Sequence, residues 1–192
     1  MEASRSVFVM NQFFLRDDPK LFEEKFEEKD RDRFMWLISA DKIFSSKIQE
    51  TKDKKEYTNF AQIYHIEYEI YKSFLYNQTK TAESSVYAKE VHIYMPPGSH
   101  CAMLEGRMAK SIIIPQITIH KVRNINGKLS ALEKKEFKQC VINSFGLRDS
   151  IIGFSFRYTS LNDSYTKFNL DGSQGGNAAV QIDFVKWEIK SS

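Results

Sequence analysis

The most regular feature of the sequence is an alternation of apolar and polar side chains in its second half. Over residues 152–158, Ile152, Phe154, Phe156 and Tyr158 alternate with small or polar residues. A period of two that is rich in β-branched and aromatic residues is typical of half-buried strands. Similar patterns predict strands over residues 87–95, 111–122, 165–170 and 178–189, so the chain is predicted to be mainly β.

Three local signals qualify these strands. Pro115 lacks a backbone donor, so the strand over residues 111–122 is predicted to be bulged there or to lie on an edge. The glycine-rich segment 172–176 predicts a hairpin connection. In the last strand the apolar positions change phase between Phe184 and Val185, which predicts a bulge or a strand buried on both faces. In either case we expect Trp187 to pack outside a simple one-sided sheet.

Helical signals are fewer. Asp18 and Pro19 form a helix start, followed by an amphipathic, acidic helix that we extend through residues 34–38. Ser130 and Glu133 match a capping box, which predicts a second helix whose apolar face includes Phe137 and a buried Cys140. Residues 62–71 alternate as a strand does, but a helix through residues 60–74 remains an alternative.

These elements predict a single domain over residues 1–192 of mainly β (α+β) class. Residues 86–190 are expected to form a small antiparallel β-barrel or two packed sheets with one flanking helix. Residues 16–80 are expected to be an added, helix-containing element. The first apolar segment, residues 6–15, is interrupted by Asn11 and Gln12 and is interpreted as a strand rather than a signal peptide.

Composition excludes several classes of protein. The 192 residues are 42% hydrophobic and 28% charged, which is typical of a globular chain, and two cysteines are too few for a disulfide scaffold. The net charge of +3 is too small to indicate a nucleic-acid binder. No apolar stretch approaches the roughly 18 residues that a membrane span requires. We therefore expect a cytoplasmic protein that leaves the cell only if a dedicated apparatus exports it.

Candidate chemistry is sparse. His92, His100 and Cys101 lack the paired spacing of a zinc site. The glycines at 172–176 lack the helix and the Lys-Ser or Lys-Thr pair of a phosphate loop. Since no catalytic triad or carboxylate pair is recognisable, we predict no catalytic, cofactor-binding or metal site. An enzyme with an unmarked site stays an alternative.

Residues in the second half carry a resemblance to a known family. The chain resembles the haemolysin-coregulated protein (Hcp) family, the tube subunits of bacterial type VI secretion and relatives of phage tail-tube proteins. The positions that carry this resemblance are Gly106, 117–121, Asn124, the predicted helix from Leu129 to Cys140, 154–158, 165–170 and 182–189.

The resemblance implies a function in assembly rather than catalysis. Members of this family form six-membered rings that stack into a tube, so the implied partners are further copies of the chain and other secretion components, with export needing no signal peptide. It implies a ring-stacking loop that includes Pro96, Pro97, Gly98, Ser99, His100 and Arg107. The predicted subunit-edge strand contains Val185, Trp187 and Ile189. A monomeric or dimeric β-sandwich binding module, or a secreted effector, is the alternative.

Overall fold

A computed structural model describes residues 34–45, 57–76, 82–125, 128–148, 150–169, 171–186 and 188–191. The strand predicted at 6–15 and the helix that starts at Asp18 lie outside these residues. The described elements are β1 (Met35–Ala40), β2 (Ala61–Ile63), β3 (His65–Glu67), β4 (Ile70–Tyr76), β5 (Ala82–Ala88), β6 (Val91–Met95), α1 (His100–Ala109), β7 (Ile114–Ile125), β8 (Lys128–Arg148), β9 (Ile151–Arg157), β10 (Ser160–Phe168), β11 (Gln174–Asp183) and β12 (Glu188–Ser191).

Ten of these strands form one branched antiparallel sheet. Its longest path runs β12-β11-β10-β8-β7-β1-β2, and a second branch runs from β8 through β9 and β6 to β3. Strands β4 and β5 form a separate two-stranded sheet. The mainly β prediction is confirmed. The described strands do not close into a barrel, because the strands that end the two branches each have one described partner: β2 pairs with β1, and β3 pairs with β6.

The core lies between the two branches. Residues from the inner face of β1, β7, β8 and β10 meet residues from β6 and β9, and α1 packs against the same core. The buried side chains include Ile38, Val91, Ile93, Leu104, Ile117, Ile119, Phe137, Phe154, Phe156 and Leu161. Phe137 contacts Phe156 edge to face, with ring centroids 5.3 Å apart. The predicted strand at 152–158 is therefore confirmed as the central core strand β9.

The helix predicted from the Ser130 capping box is wrong. Residues 128–148 form the strand β8, in which Phe137 and Cys140 are buried as predicted, but by strand packing. Lys135 and Phe137 both face the core, as alternate residues of a strand do. Because one of these two buried residues is charged, the alternation of apolar and polar residues cannot be recognised in the sequence.

The loop predicted over residues 95–107 is also wrong in its second part. After Pro96, Pro97 and Gly98 the chain enters the ten-residue helix α1 at His100. This helix has no acidic residue in its first turn and no side-chain cap hydrogen bond. Its N-cap residue, Ser99, is a type preferred at helix starts, but the acidic residue of the first turn that would strengthen this signal is absent.

Other predicted boundaries need correction. Residues 35–40 belong to the strand β1 rather than to a continuing helix, because they pair with both β2 and β7. The segment 62–71 is extended, as the first of its two alternatives predicted, but it is divided among β2, β3 and β4. The predicted strand at 87–95 is likewise divided between β5 and β6. Strands β1 to β3 thus share a sheet with strands that follow residue 86.

Pro115 lies where the sequence predicted an edge. Strand β1 pairs with β7 only from Ile117 onward, so β8 is the one described neighbour of β7 at residue 115. The missing N–H of the proline therefore breaks no ladder on the β1 side. The glycine-rich hairpin between β10 and β11 is also confirmed.

Strand β8 changes partners near Gln139. It pairs with β10 up to Lys138 and with β9 from Val141. Gln139 itself has a φ of 51°, in the left-handed region. This conformation is costly for a residue with a Cβ and more so for a β-branched one. The bend at Gln139 is what allows one strand to serve both branches of the sheet.

Replacing Gln139 by valine should destabilise the fold by about 1–2 kcal/mol, because the β-branched side chain resists the left-handed backbone. Gln139→Gly should be tolerated. Urea unfolding measures both, with Gln116→Val on the exposed part of β7 as the control. Equal losses for the two valine variants would show that the bend carries no strain.

Candidate assembly surfaces

Strand β12 is the end of the main sheet. Among the described strands it pairs with β11 alone, so its second side offers backbone groups to another strand. Ile189 lies on this strand, opposite Ile182, with 57% of its surface exposed. An exposed edge with an apolar side chain is a surface that another chain can extend.

The predicted continuous strand at 178–189 is interrupted before β12. The carboxylate of Asp183 accepts hydrogen bonds from the backbone N–H groups of Val185 and Lys186, each at 2.9 Å. These bonds with backbone N–H groups lower the pKa of Asp183. The result is a turn, with Val185 67% exposed within it. The change of phase at Phe184 and Val185 therefore marks a turn rather than a bulge, while Trp187 lies outside the described residues.

The hairpin of β4 and β5 is a second unpaired surface. Its two strands pair with each other from Ile70 to Tyr76 and with no other described strand. Near its base Tyr71 and Tyr87 stack at 5.4 Å, each more than 40% exposed. A salt bridge of 2.7 Å from Lys89 to Glu69 fixes the same end. A two-stranded hairpin is marginally stable alone, so a neighbouring surface would stabilise it.

The predicted stacking loop is divided by the structure. Pro97, Gly98 and Ser99 are exposed and Pro96 is half-buried, so they form an accessible surface. His100 is only 7% exposed, and its ring hydrogen-bonds the carbonyl of Pro96 at 3.2 Å. Burial lowers the pKa of His100, an effect that this hydrogen bond opposes. His100 therefore shapes the loop from beneath.

Gly98 lies on the loop before α1, whereas Arg107 lies on α1 itself. A Cβ at Gly98 would lie 2.8 Å from Cε1 of His100, so glycine permits the close approach of this loop to the buried ring. Arg107 lies in the last turn of α1, where a positive charge suits the helix dipole. It is therefore on the helix rather than on the loop where the sequence placed it.

A buried charged cluster lies on the inner face of the sheet. Lys135 is fully buried, and its Nζ contacts carboxylate oxygens of Glu133 and of Asp163, the latter at 2.6 Å. Its ammonium also lies 4.6 Å from the ring centre of Tyr68 and 5.3 Å from that of Tyr165. Lys135 and Asp163 are direct cross-strand partners on β8 and β10.

The protonated form of Lys135 is strongly favoured in this cluster. Burial alone would lower its pKa, but the hydrogen bonds with Asp163 and Glu133 outweigh burial and raise it. Burial also raises the pKa of the Tyr165 hydroxyl, which donates to Asp163 at 3.2 Å. An ammonium held in this state is a structural cation and a poor nucleophile.

A groove opens beside this cluster. It has a volume of about 590 Å³ and is lined by Lys121, Leu132, Glu133, Tyr165, Thr166, Lys167, Gly176, Asn177 and Ala178. Glu133 and Tyr165 thus connect the groove to the buried lysine. Two lysines line the groove: Lys167 is exposed, whereas Lys121 is half-buried and lies over the rings of Phe34 and Trp36.

Neither metal chemistry nor a membrane-crossing helix appears in the described part of the chain. His100 and Cys101 begin α1 and His92 lies on β6, and no three metal-ligating side chains come together among the residues that the structure covers. Cys140 is buried, and burial raises the pKa of its thiol to about 12, which keeps it protonated. No described helix is long and apolar enough to cross a bilayer.

Sequence reasoning did not find Lys135, Asp163 or the β4–β5 hairpin. Lys135 lies between Lys134 and Glu136 in the sequence, and a lysine in such a charged segment of a predicted helix is expected to face solvent. Its cross-strand partner lies 28 positions away in the sequence, so nothing local marks the pair. The Asp183 turn did have a signal, because aspartate commonly accepts bonds from backbone N–H groups two and three residues ahead.

No family model matches this chain, and no curated protein matches its sequence. Solved structures do match its fold. A type six secretion system protein is 13% identical, with a TM-score of 0.68 over 82% of this chain and 99% of that one. Hcp1 from Salmonella typhimurium is 12% identical, with a TM-score of 0.61 over the same shares.

A third structure extends the range of similar proteins. The secreted protein Hcp3 from Pseudomonas aeruginosa is 11% identical, with a TM-score of 0.52 over 79% of this chain and 99% of that one. The fold of this chain is therefore Hcp-like, as the sequence resemblance implied. At these identities the likeness establishes the fold.

Replacing Lys135 by methionine should destabilise the protein by about 3–5 kcal/mol, because Asp163 and Glu133 would remain buried without their cation. Urea unfolding measures the loss. Lys134→Met is the matched control, since Lys134 is an exposed neighbour whose partner is Glu136. The control should cost less than about 1 kcal/mol. Similar losses for both variants would mean that the cluster adds nothing beyond a surface ion pair.

Proposed function

We propose that this chain is a structural tube-forming subunit of a bacterial type VI or related contractile secretion system, and that it assembles into hexameric rings. Its Hcp-like fold, which spans nearly the full length of the similar secretion proteins, supports this proposal. The function is architectural, with the work done by contacts between copies. Its other partners are components of the same secretion apparatus.

The β4–β5 hairpin, which packs against the main core through Ile70 but has no further described partner strand, is the observation that carries the proposal. Its backbone ladder pairs with no other described strand, yet it exposes two stacked tyrosines at its base. Contacts with a neighbouring copy would bury these rings and supply the tertiary support that a lone hairpin lacks. We assign the hairpin to the contact between subunits.

The β12 edge supplies the second half of a repeating contact. A ring closes when one surface of each copy meets a different surface of the next copy with a fixed rotation. The open side of β12 and the exposed Val185 and Ile189 form one such surface. Trp187 belongs to this surface in our proposal because it lies between them in the chain.

The outer face of the main sheet suits a wall that meets water. One row across it consists of Thr118, Glu136, Asn162 and Gln181, which are polar residues aligned across β7, β8, β10 and β11. Lys134 and Glu136 on this face pair at 2.6 Å, so their charges largely compensate. A row of polar side chains with compensated charges gives a passing molecule no strong point of attachment.

The groove beside Lys121 and Tyr165 favours one alternative. A concave surface with aromatic, basic and acidic groups is the usual form of a ligand site. A monomeric or dimeric binding module or a secreted effector would use it directly. The size of the purified particle separates this alternative from a tube subunit.

Light scattering on the full chain should give a mass close to six subunits. Ile189→Lys should shift this mass toward the monomer, because a lysine on an exposed edge opposes strand addition. Lys190→Gln, on the adjacent exposed position, is the control and should keep the oligomer. A wild-type monomer at high concentration would refute the ring, and an unchanged Ile189→Lys oligomer would remove β12 from the interface.

Replacing Pro96 and Pro97 by serine should shorten the tubes seen by electron microscopy while the rings persist. The substitution loosens the proposed stacking loop, and retaining Gly98 avoids a clash with His100. Circular dichroism should show an unchanged subunit. Tubes of normal length would exclude this loop from stacking.

A further inference from the structure

His120 occupies a second, smaller core on the outer face of the sheet. It lies on β7, paired with Leu37 of β1 and Lys134 of β8. Its ring packs against Phe60 at a centroid distance of 5.1 Å and against Tyr57, edge to face, at 5.8 Å. Both aromatic residues belong to residues 57–60, which we call the strap.

The strap covers an apolar surface of the sheet. Leu37 and Val122 are fully buried and Leu129 is 8% exposed, and Tyr57 and Phe60 are among the side chains packed against them. This cluster is separate from the main core, which lies on the other face. Displacement of the strap would therefore expose an apolar patch while leaving the main core intact.

The ring of His120 is chemically mismatched with these surroundings. Both Nδ1 and Nε2 are buried and have no hydrogen-bond partner among the described residues. A phenylalanine or leucine would fill the same space with no polar atom to leave unsatisfied. A titratable ring packed against aromatic rings is suited to respond to protonation.

We propose that His120 makes the strap a pH-sensitive latch, which is closed over Leu37, Val122 and Leu129 when the ring is neutral and opens when the ring is protonated. The imidazolium would carry two N–H donors into a space where the described part of the chain offers no acceptor for either. Opening brings both donors to water. The latch is independent of the proposed function in tube assembly.

Among the described residues, the charges that act on His120 come from one element. Strand β8 contributes Lys134 and Glu136, which pair with each other, while β1 contributes Leu37 and the strap contributes Tyr57 and Phe60. Burial and the neighbouring Lys134 lower the pKa of His120 to about 4, although Glu136 opposes this shift. Both the packing and the net field thus favour the neutral ring.

The direction of the pH effect follows from this lowered pKa. In the open state the ring is solvated, with a pKa near its ordinary value of about 6.5. The closed state is fully favoured above that value and loses its advantage as the pH falls from 6.5 to 4. Linkage predicts that the opening equilibrium constant rises about 20-fold between pH 7 and pH 5.

Hydrogen–deuterium exchange on the full chain, corrected for intrinsic rates, tests the latch. Peptides that contain residues 57–60 should lose protection between pH 7 and pH 5 in the wild type. His120→Phe, which keeps the packing and removes the titration, should remain protected. His65→Gln, at a half-exposed histidine beside Glu67, is the control and should behave as the wild type does. Equal loss in wild type and His120→Phe, or no loss in either, would overturn the proposal.

Nuclear magnetic resonance supplies a test that needs no substitution. The ring protons of His120 in the wild type should titrate well below pH 6.5, with the Tyr57 ring signals shifting over the same pH range. A titration of His120 near pH 6.5, or one that leaves the Tyr57 signals unmoved, would overturn the latch. This measurement on the wild type tests the latch even if His120→Phe fails to fold.

Discussion

The fold depends on one long strand that has two sets of neighbours. The first part of β8 pairs with β7 and β10, and its second part pairs with β9. The left-handed backbone at Gln139 marks the point where the pairing changes. Because both branches of the sheet share this strand, the core between them and the edges of the sheet are positioned by the same bend.

The same strand shows what a sequence pattern reveals and what it conceals. Alternation identified β9 directly, because its inward positions are isoleucine and phenylalanine. It failed for β8, where Lys135 occupies an inward position and is neutralised by Asp163 from β10. A local pattern has no access to a partner on another strand, so the capping-box residues favoured a helix. The helix α1 was not predicted because its N-cap residue, Ser99, is not accompanied by an acidic residue in the first turn.

The candidate surfaces were predictable to different degrees. Two prolines and a glycine identified an exposed loop, but the burial of His100 beneath it depends on Pro96 and Phe44, which only the fold brings together. The phase change before β12 was visible in the sequence, and its cause, the Asp183 turn, was not inferred. The β4–β5 hairpin could not be identified as a candidate surface from the sequence. That it pairs with no other described strand is known only from the topology of the sheets.

The proposed function requires that further copies of the chain cover the exposed β12 edge and the β4–β5 hairpin. The most direct test is cryo-electron microscopy of the purified full chain. The account predicts six-membered rings in which the β4–β5 hairpin of each copy lies against its neighbour and the β12 edge is covered. Single subunits at high concentration, or rings that leave both surfaces open to solvent, would contradict it.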